Sequence, residues 1–151
     1  MINLGLYLEA LSDEQCLPLF VSEVERAKKT NKIKDVSIFY DDIGPLPNNI
    51  KAGCFNSTDM WNFSGDLLVF SMQTLEKSTK YINNFNIYYC YGLKPYSTIP
   101  MIRLLDMYKI PTIALNDESA RNFFRITNTK PIAINNYLQN AVTTIMEHKN
   151  E

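Results

Sequence analysis

Short apolar runs alternate along this chain with longer stretches in which apolar residues return every three or four positions. The strand period thus gives way repeatedly to the helix period. Apolar runs at 2–8, 36–40, 67–70, 86–91 and 112–115 predict strands, and 51–55 and 131–134 add two shorter ones. Most runs end in a polar residue suited to starting a helix. Ser12 follows the first, with Gln15 three positions on as in a capping box and Pro18 in the opening turn. Leu17, Phe20, Val21, Val24 and Ala27 then share one helical face, which leaves Glu23, Glu25 and Arg26 for water.

The same grammar continues downstream. Asn56-Ser57-Thr58 caps a brief helix at 59–62, and Gly65-Asp66 closes the following turn. Ser71 opens a helix at 72–80. Ser97 or Thr98 opens another, with Pro100 in its first turn and Met101, Leu104, Leu105 and Tyr108 inward. Asn116-Asp117 caps a helix buried through Ala120, Phe123, Phe124 and Thr127. A last helix at 137–148 turns Leu138, Ala141, Val142 and Ile145 inward. Strands alternating with helices in this way predict an α/β fold: one three-layer, Rossmann-like domain over residues 1–151. It is an open parallel sheet of about six to seven strands with helices on both faces.

Composition narrows the partners. A net charge of −1 supplies no basic field for nucleic acid. No apolar stretch approaches the ~20 residues that span a bilayer, and the N-terminus runs straight into a strand without a signal-peptide pattern. Cys16, Cys54 and Cys90 are odd in number and far apart, which reads as reduced thiols in a cytoplasmic protein. The one histidine, His148, lies in a polar tail, so neither a Cys–His pair nor a metal-ligand spacing is present. No metal and no cofactor is expected. The many asparagines suit turns and caps, and they are consistent with an A/T-rich, viral genome.

A parallel sheet gathers its functional groups at the carboxyl ends of its strands. That edge would carry Glu9, Ser12, Asp41, Asp42, Ser71, Tyr96, Asn116 and Asp117 as ligand-binding candidates, together with several helix N-termini. Two pairs among them have a plainer reading. Asp41-Asp42 would serve as a solvated turn, and Asn116-Asp117 as a cap with an acidic first turn. Tyr88, Tyr89, Tyr91 and Tyr96 could stack on a sugar or base, although strand alternation sends Tyr89 and Tyr91 to one face and Tyr88 and Cys90 to the other. The first strand–helix turn, Leu8-Glu9-Ala10-Leu11-Ser12-Asp13, contains no glycine and carries two acids, which excludes the usual pyrophosphate loop of NAD or FAD enzymes. Walker A and Gly-x-Ser-x-Gly sequences are absent too, and no catalytic residue is assigned.

The run Asn56-Ser57-Thr58-Asp59-Met60-Trp61-Asn62-Phe63-Ser64-Gly65-Asp66-Leu67-Leu68-Val69-Phe70-Ser71 resembles the middle of a Rossmann-like half of phage-type GT-B glycosyltransferases. There, a short helix precedes a strand that leads into a longer helix. Ile113-Ala114-Leu115-Asn116-Asp117-Glu118-Ser119-Ala120 is similar to another strand–helix junction of that family. The resemblance implies two such domains facing a cleft, one for the acceptor and one for a nucleotide-sugar. This chain has the length of one half and lacks the family's donor-phosphate basic pair with its carboxylates, so no donor-site residue is carried over. It implies an acceptor-side half, a subunit, or a truncated relative that has become a binding or structural module, with a nucleotide-sugar or glycan as ligand and, for catalysis, a partner chain or second copy supplying the other half. The alternative is a non-catalytic protein-binding module, consistent with a viral source, with an exposed apolar patch around Trp61, Phe63 or the 46–50 loop. A receiver-like regulator fits less well, because no later strand ends in the matching Thr and Lys.

Overall fold

The computed structural model describes residues 1–45, 50–81 and 84–151. Its seven strands are β1 (Ile2–Ala10), β2 (Ile33–Asp42), β3 (Gly53–Asn56), β4 (Ser64–Val69), β5 (Asn84–Tyr91), β6 (Thr112–Ala114) and β7 (Ala133–Ile134). They form one sheet in the order β3-β2-β1-β4-β5-β6-β7. All six neighbouring pairs are parallel. The chain moves outward from β1 to β3, then returns to β1's other side and moves outward again from β4. The switch point therefore lies between β1 and β4, where the connections on either side diverge and leave a crevice.

The helices α1 (Cys16–Lys29), α2 (Met72–Thr79), α3 (Thr98–Met107), α4 (Asp117–Thr127) and α5 (Ala141–Lys149) cover the sheet on both sides. Leu4, Leu6, Leu8, Leu68, Tyr88 and Cys90 pack with α1 and α5 on one side. Tyr7, Leu67, Val69, Tyr89 and Tyr91 pack with α2, α3, α4 and a 3₁₀ helix at Ser57–Asn62 on the other. The alternation expected for β5 is thereby realised. Leu4, Leu6 and Leu68 have no exposed surface, and each such side chain contributes roughly 1.5–3 kcal/mol of burial free energy.

Several local expectations are overturned. Ser12 does not cap α1: Asp13 does, its Oδ1 accepting the amides of Gln15 at 2.9 Å and Cys16 at 2.8 Å. A carboxylate nearer the first helical turn outcompetes the hydroxyl. Glu23 is buried rather than wet, because its two oxygens accept the amides of Asn140 and Val142, both at 3.1 Å, and so cap α5. Gly65-Asp66 lies inside β4 and not in a turn, and Asp66 is fully buried against Lys149 and Asn86. Tyr108 and Phe124 are exposed, while Ile110 takes the inward place beyond α3. The expected single helix at 137–148 is split: Tyr137, Leu138 and Asn140 adopt positive φ, and regular helix begins only at Ala141.

Candidate functional site

The carboxyl edge divides into two groups of polar side chains. The first is built on β1, β2, β4 and their neighbours. Tyr7 points from β1 across the sheet, and its hydroxyl donates to Asp41 Oδ1 at 2.7 Å. Ser57, the first residue of the 3₁₀ helix, donates to the same oxygen at 2.6 Å, and Lys77 Nζ on α2 donates to Oδ2 at 3.0 Å. Burial by itself would raise the Asp41 carboxyl. The hydrogen bonds from Ser57, Tyr7 and Lys77 outweigh it and hold the group below its ordinary value. Burial and the neighbouring Asp41 push the Tyr7 phenol upward, so it stays a neutral donor.

Further polar side chains meet at the switch point between β1 and β4. Glu9 is exposed at the end of β1. Ser71, which caps α2 by a reciprocal bond with Thr74, donates to Glu9 Oε1 at 3.4 Å. In the amide orientation that satisfies its neighbours, Gln73 donates to Glu9 Oε1 at 2.7 Å and accepts from Lys77 Nζ at 3.0 Å. Gln73 and Lys77 are four residues apart on α2, which puts them on one helix face. A relay therefore runs from Glu9 through Gln73 and Lys77 to Asp41 at the switch point between β1 and β4.

The second group follows β5 and β6. A groove of about 510 Å³ is lined by Tyr91, Lys94, Tyr96, Asn116, Asn122 and Arg125, among others. Tyr91 and Tyr96 lie ring against ring with centroids 5.0 Å apart. Asn122 Nδ2 donates to both hydroxyls, to Tyr96 at 3.1 Å. Gly92 opens the loop at φ +133°, and a Cβ there would stand 2.5 Å from Ser119 Oγ, so the chain can turn this tightly against α4 only without a side chain. Lys94 reaches back to Asp13 Oδ2 at 2.9 Å and ties this loop to the start of α1. Burial opposes the Asp13 charge, but the amides of Cys16 and Gln15 and the Lys94 ammonium lower its pKa on balance.

The eight nominated residues thus fall into different places. Glu9 and Ser71 meet at the switch point. Asp41 lies beside them, reached through Gln73 and Lys77. Tyr96 and Asn116 belong to the second groove, where Asn116 Oδ1 also caps α4 by accepting the Ser119 amide at 2.7 Å. Ser12 is drawn against the backbone of Gly44, where a Cβ would lie 2.5 Å from its own Cβ. Asp42 and Asp117 are exposed and join neither group. Asp41 and Asp42 end a strand and are not a free turn.

Tyr7, Lys77 and Asn122 carry much of the geometry and were not legible as site residues. Tyr7 reads as one more apolar strand position. The spacing of Gln73 and Lys77, and of Glu118 and Asn122, was the available signal. The buried Cys16 thiol is pushed up to about 12 by burial and by Asp13, and Cys90 is raised by complete burial, so neither is an activated nucleophile. His148 lies on α5 near the opposite edge. Among the described residues no group of three or more His, Cys, Asp or Glu could hold a metal ion, and no helix is long and apolar enough to cross a membrane. Comparison with protein-family models, with curated proteins and with solved structures finds no match to this chain.

Proposed function

We propose that this domain binds a sugar at its carboxyl edge and acts as the acceptor-side half of a GT-B-type glycosyltransferase, with a second half supplied by another chain or copy. The observation that carries the reading is the Glu9–Gln73–Lys77 relay at the switch point. A carboxylate, an amide, a hydroxyl and an ammonium side by side offer alternating acceptors and donors for vicinal sugar hydroxyls. The glycine-free turn and the Glu9 charge disfavour a phosphate in the same crevice. Half-buried Tyr96, resting on the buried ring of Tyr91, lines the second groove and offers the one ring of the pair on which the apolar face of a sugar could rest. Among the described residues of the edge, the hydroxyls of Tyr7, Ser57 and Ser71 donate to the Asp41 and Glu9 carboxylates that tie the rim together, and in this reading the transfer chemistry comes from groups of the opposing half.

Calorimetry with neutral mono- and disaccharides, and with common nucleotide-sugars, tests this. Saccharide binding that Glu9→Gln weakens about tenfold, with unchanged melting, supports it. Heat from neither class of ligand overturns it.

A second reading, a protein-binding module, has one observation in its favour. Trp61 is 62% exposed and Phe55 on the edge strand β3 is 43% exposed. Phe63, expected in the same patch, is instead 8% exposed and packs on Phe39 and Phe85. Ile50 is half-buried, and residues 46–49 of the expected patch lie outside the described residues. A protein that stays monomeric at high concentration, with Trp61→Ala unchanged in every pull-down, would remove this reading.

A further inference from the structure

At the amino edge of the sheet, remote from the strand tips, α3 and α4 leave a cleft of about 520 Å³ beside the start of β6. Its walls are mostly apolar: Ile102, Leu105, Ile110, Phe123 and Ile132 contribute side chains. This volume lies within the range of pockets that hold small organic molecules. One polar group stands out in the lining. Thr112 is 4% exposed, and its Oγ1 is buried with no hydrogen-bond partner. Buried hydroxyls are rarely left so, because burial without a partner forfeits the hydrogen bonds made to water. The charged groups on the cleft are Lys109, Lys130, His148 and Asp106. Lys109 stands 3.6 Å from Asp106, and His148 Nδ1 is 3.7 Å from Glu151. Lys130 forms no ion pair among the described residues. Lysines here complement the C-terminal ends of α3 and α4, but that role leaves the Thr112 hydroxyl unexplained.

We propose that this cleft binds a small amphipathic carboxylate. The apolar body lies against Leu105, Ile110 and Phe123, and the carboxylate accepts from the Thr112 hydroxyl and pairs with the Lys130 ammonium. The site is independent of the sugar reading, because it uses the opposite edge of the sheet.

Calorimetry on the whole chain with sodium octanoate, with octanol and acetate as comparators, tests it. The expected result is one octanoate per chain, with both comparators at least about tenfold weaker. Thr112→Val keeps the strand's shape while removing the hydroxyl and weakens octanoate about tenfold, as does the surface change Lys130→Glu. Glu9→Gln leaves octanoate binding unchanged. The proposal is overturned by any of three results: no saturation up to about 5 mM, octanol binding as tightly as octanoate, or Thr112→Val binding octanoate like the parent protein.

Discussion

The two halves of the carboxyl edge hold their polar groups by different physics. Around β1, β2 and β4, charge does the holding. Asp41 takes three hydrogen bonds from three separate elements, and little of it is left for a ligand. Around β5 and β6, hydroxyls and an amide do it: Tyr91 of β5 and Tyr96 of the loop that a left-handed glycine admits both meet Asn122 of α4. The contrast separates two fates for a polar residue at a strand tip. Either it is consumed in holding the rim together, as with Asp41 and Asn116, or it is held by others and still faces the mouth, as with Glu9 and Tyr96.

The sharpest way to break this contrast is at Asp41. Asp41→Ala strands the buried Tyr7 and Ser57 hydroxyls and should cost about 3 kcal/mol in denaturant unfolding. A variant of parental stability that has lost ligand binding would instead make Asp41 a ligand contact. The pH dependence follows from the same charges. Asp41 and Asp13 both titrate below their ordinary values when folded. Their contribution is therefore complete above the unfolded carboxylate value of about 3.9. It disappears as pH falls below that value through the lower folded pKa. Acid unfolding followed by circular dichroism should begin below about pH 4, and Asp41→Asn should flatten the profile there.

Smaller effects belong to the neutral half. Gly92→Ala forces a side chain at φ +133° against Ser119 and should cost about 1–2 kcal/mol, read as a lowered melting temperature. Tyr96→Phe removes one hydroxyl from Asn122 and should cost about 0.5–1 kcal/mol. If the ring is a stacking surface, Tyr96→Phe keeps saccharide affinity and Tyr96→Ala loses it. Least of all, Glu9→Gln should change stability by under about 0.5 kcal/mol, since its carboxylate lies on the exposed side of the relay. A larger loss would place Glu9 among the structural ties.

The alternation of strand and helix periods, the direction of the strands and the faces of Tyr88 to Tyr91 all follow from positions close together in the chain. Each depends on local periodicity or on short, right-handed crossovers, and these are properties a linear pattern carries. The roles of the polar residues do not follow in this way. Asp41 meets Tyr7 and Lys77 from 34 and 36 residues away, and Glu23 caps a helix 119 residues downstream. A carboxylate's neighbours decide whether it is wet, buried, ligand-facing or spent on a cap, and folding brings those neighbours together from distant parts of the chain. The same holds at the amino edge, where Thr112 reads as an ordinary strand residue until α3 and α4 close around it and leave its hydroxyl without a partner.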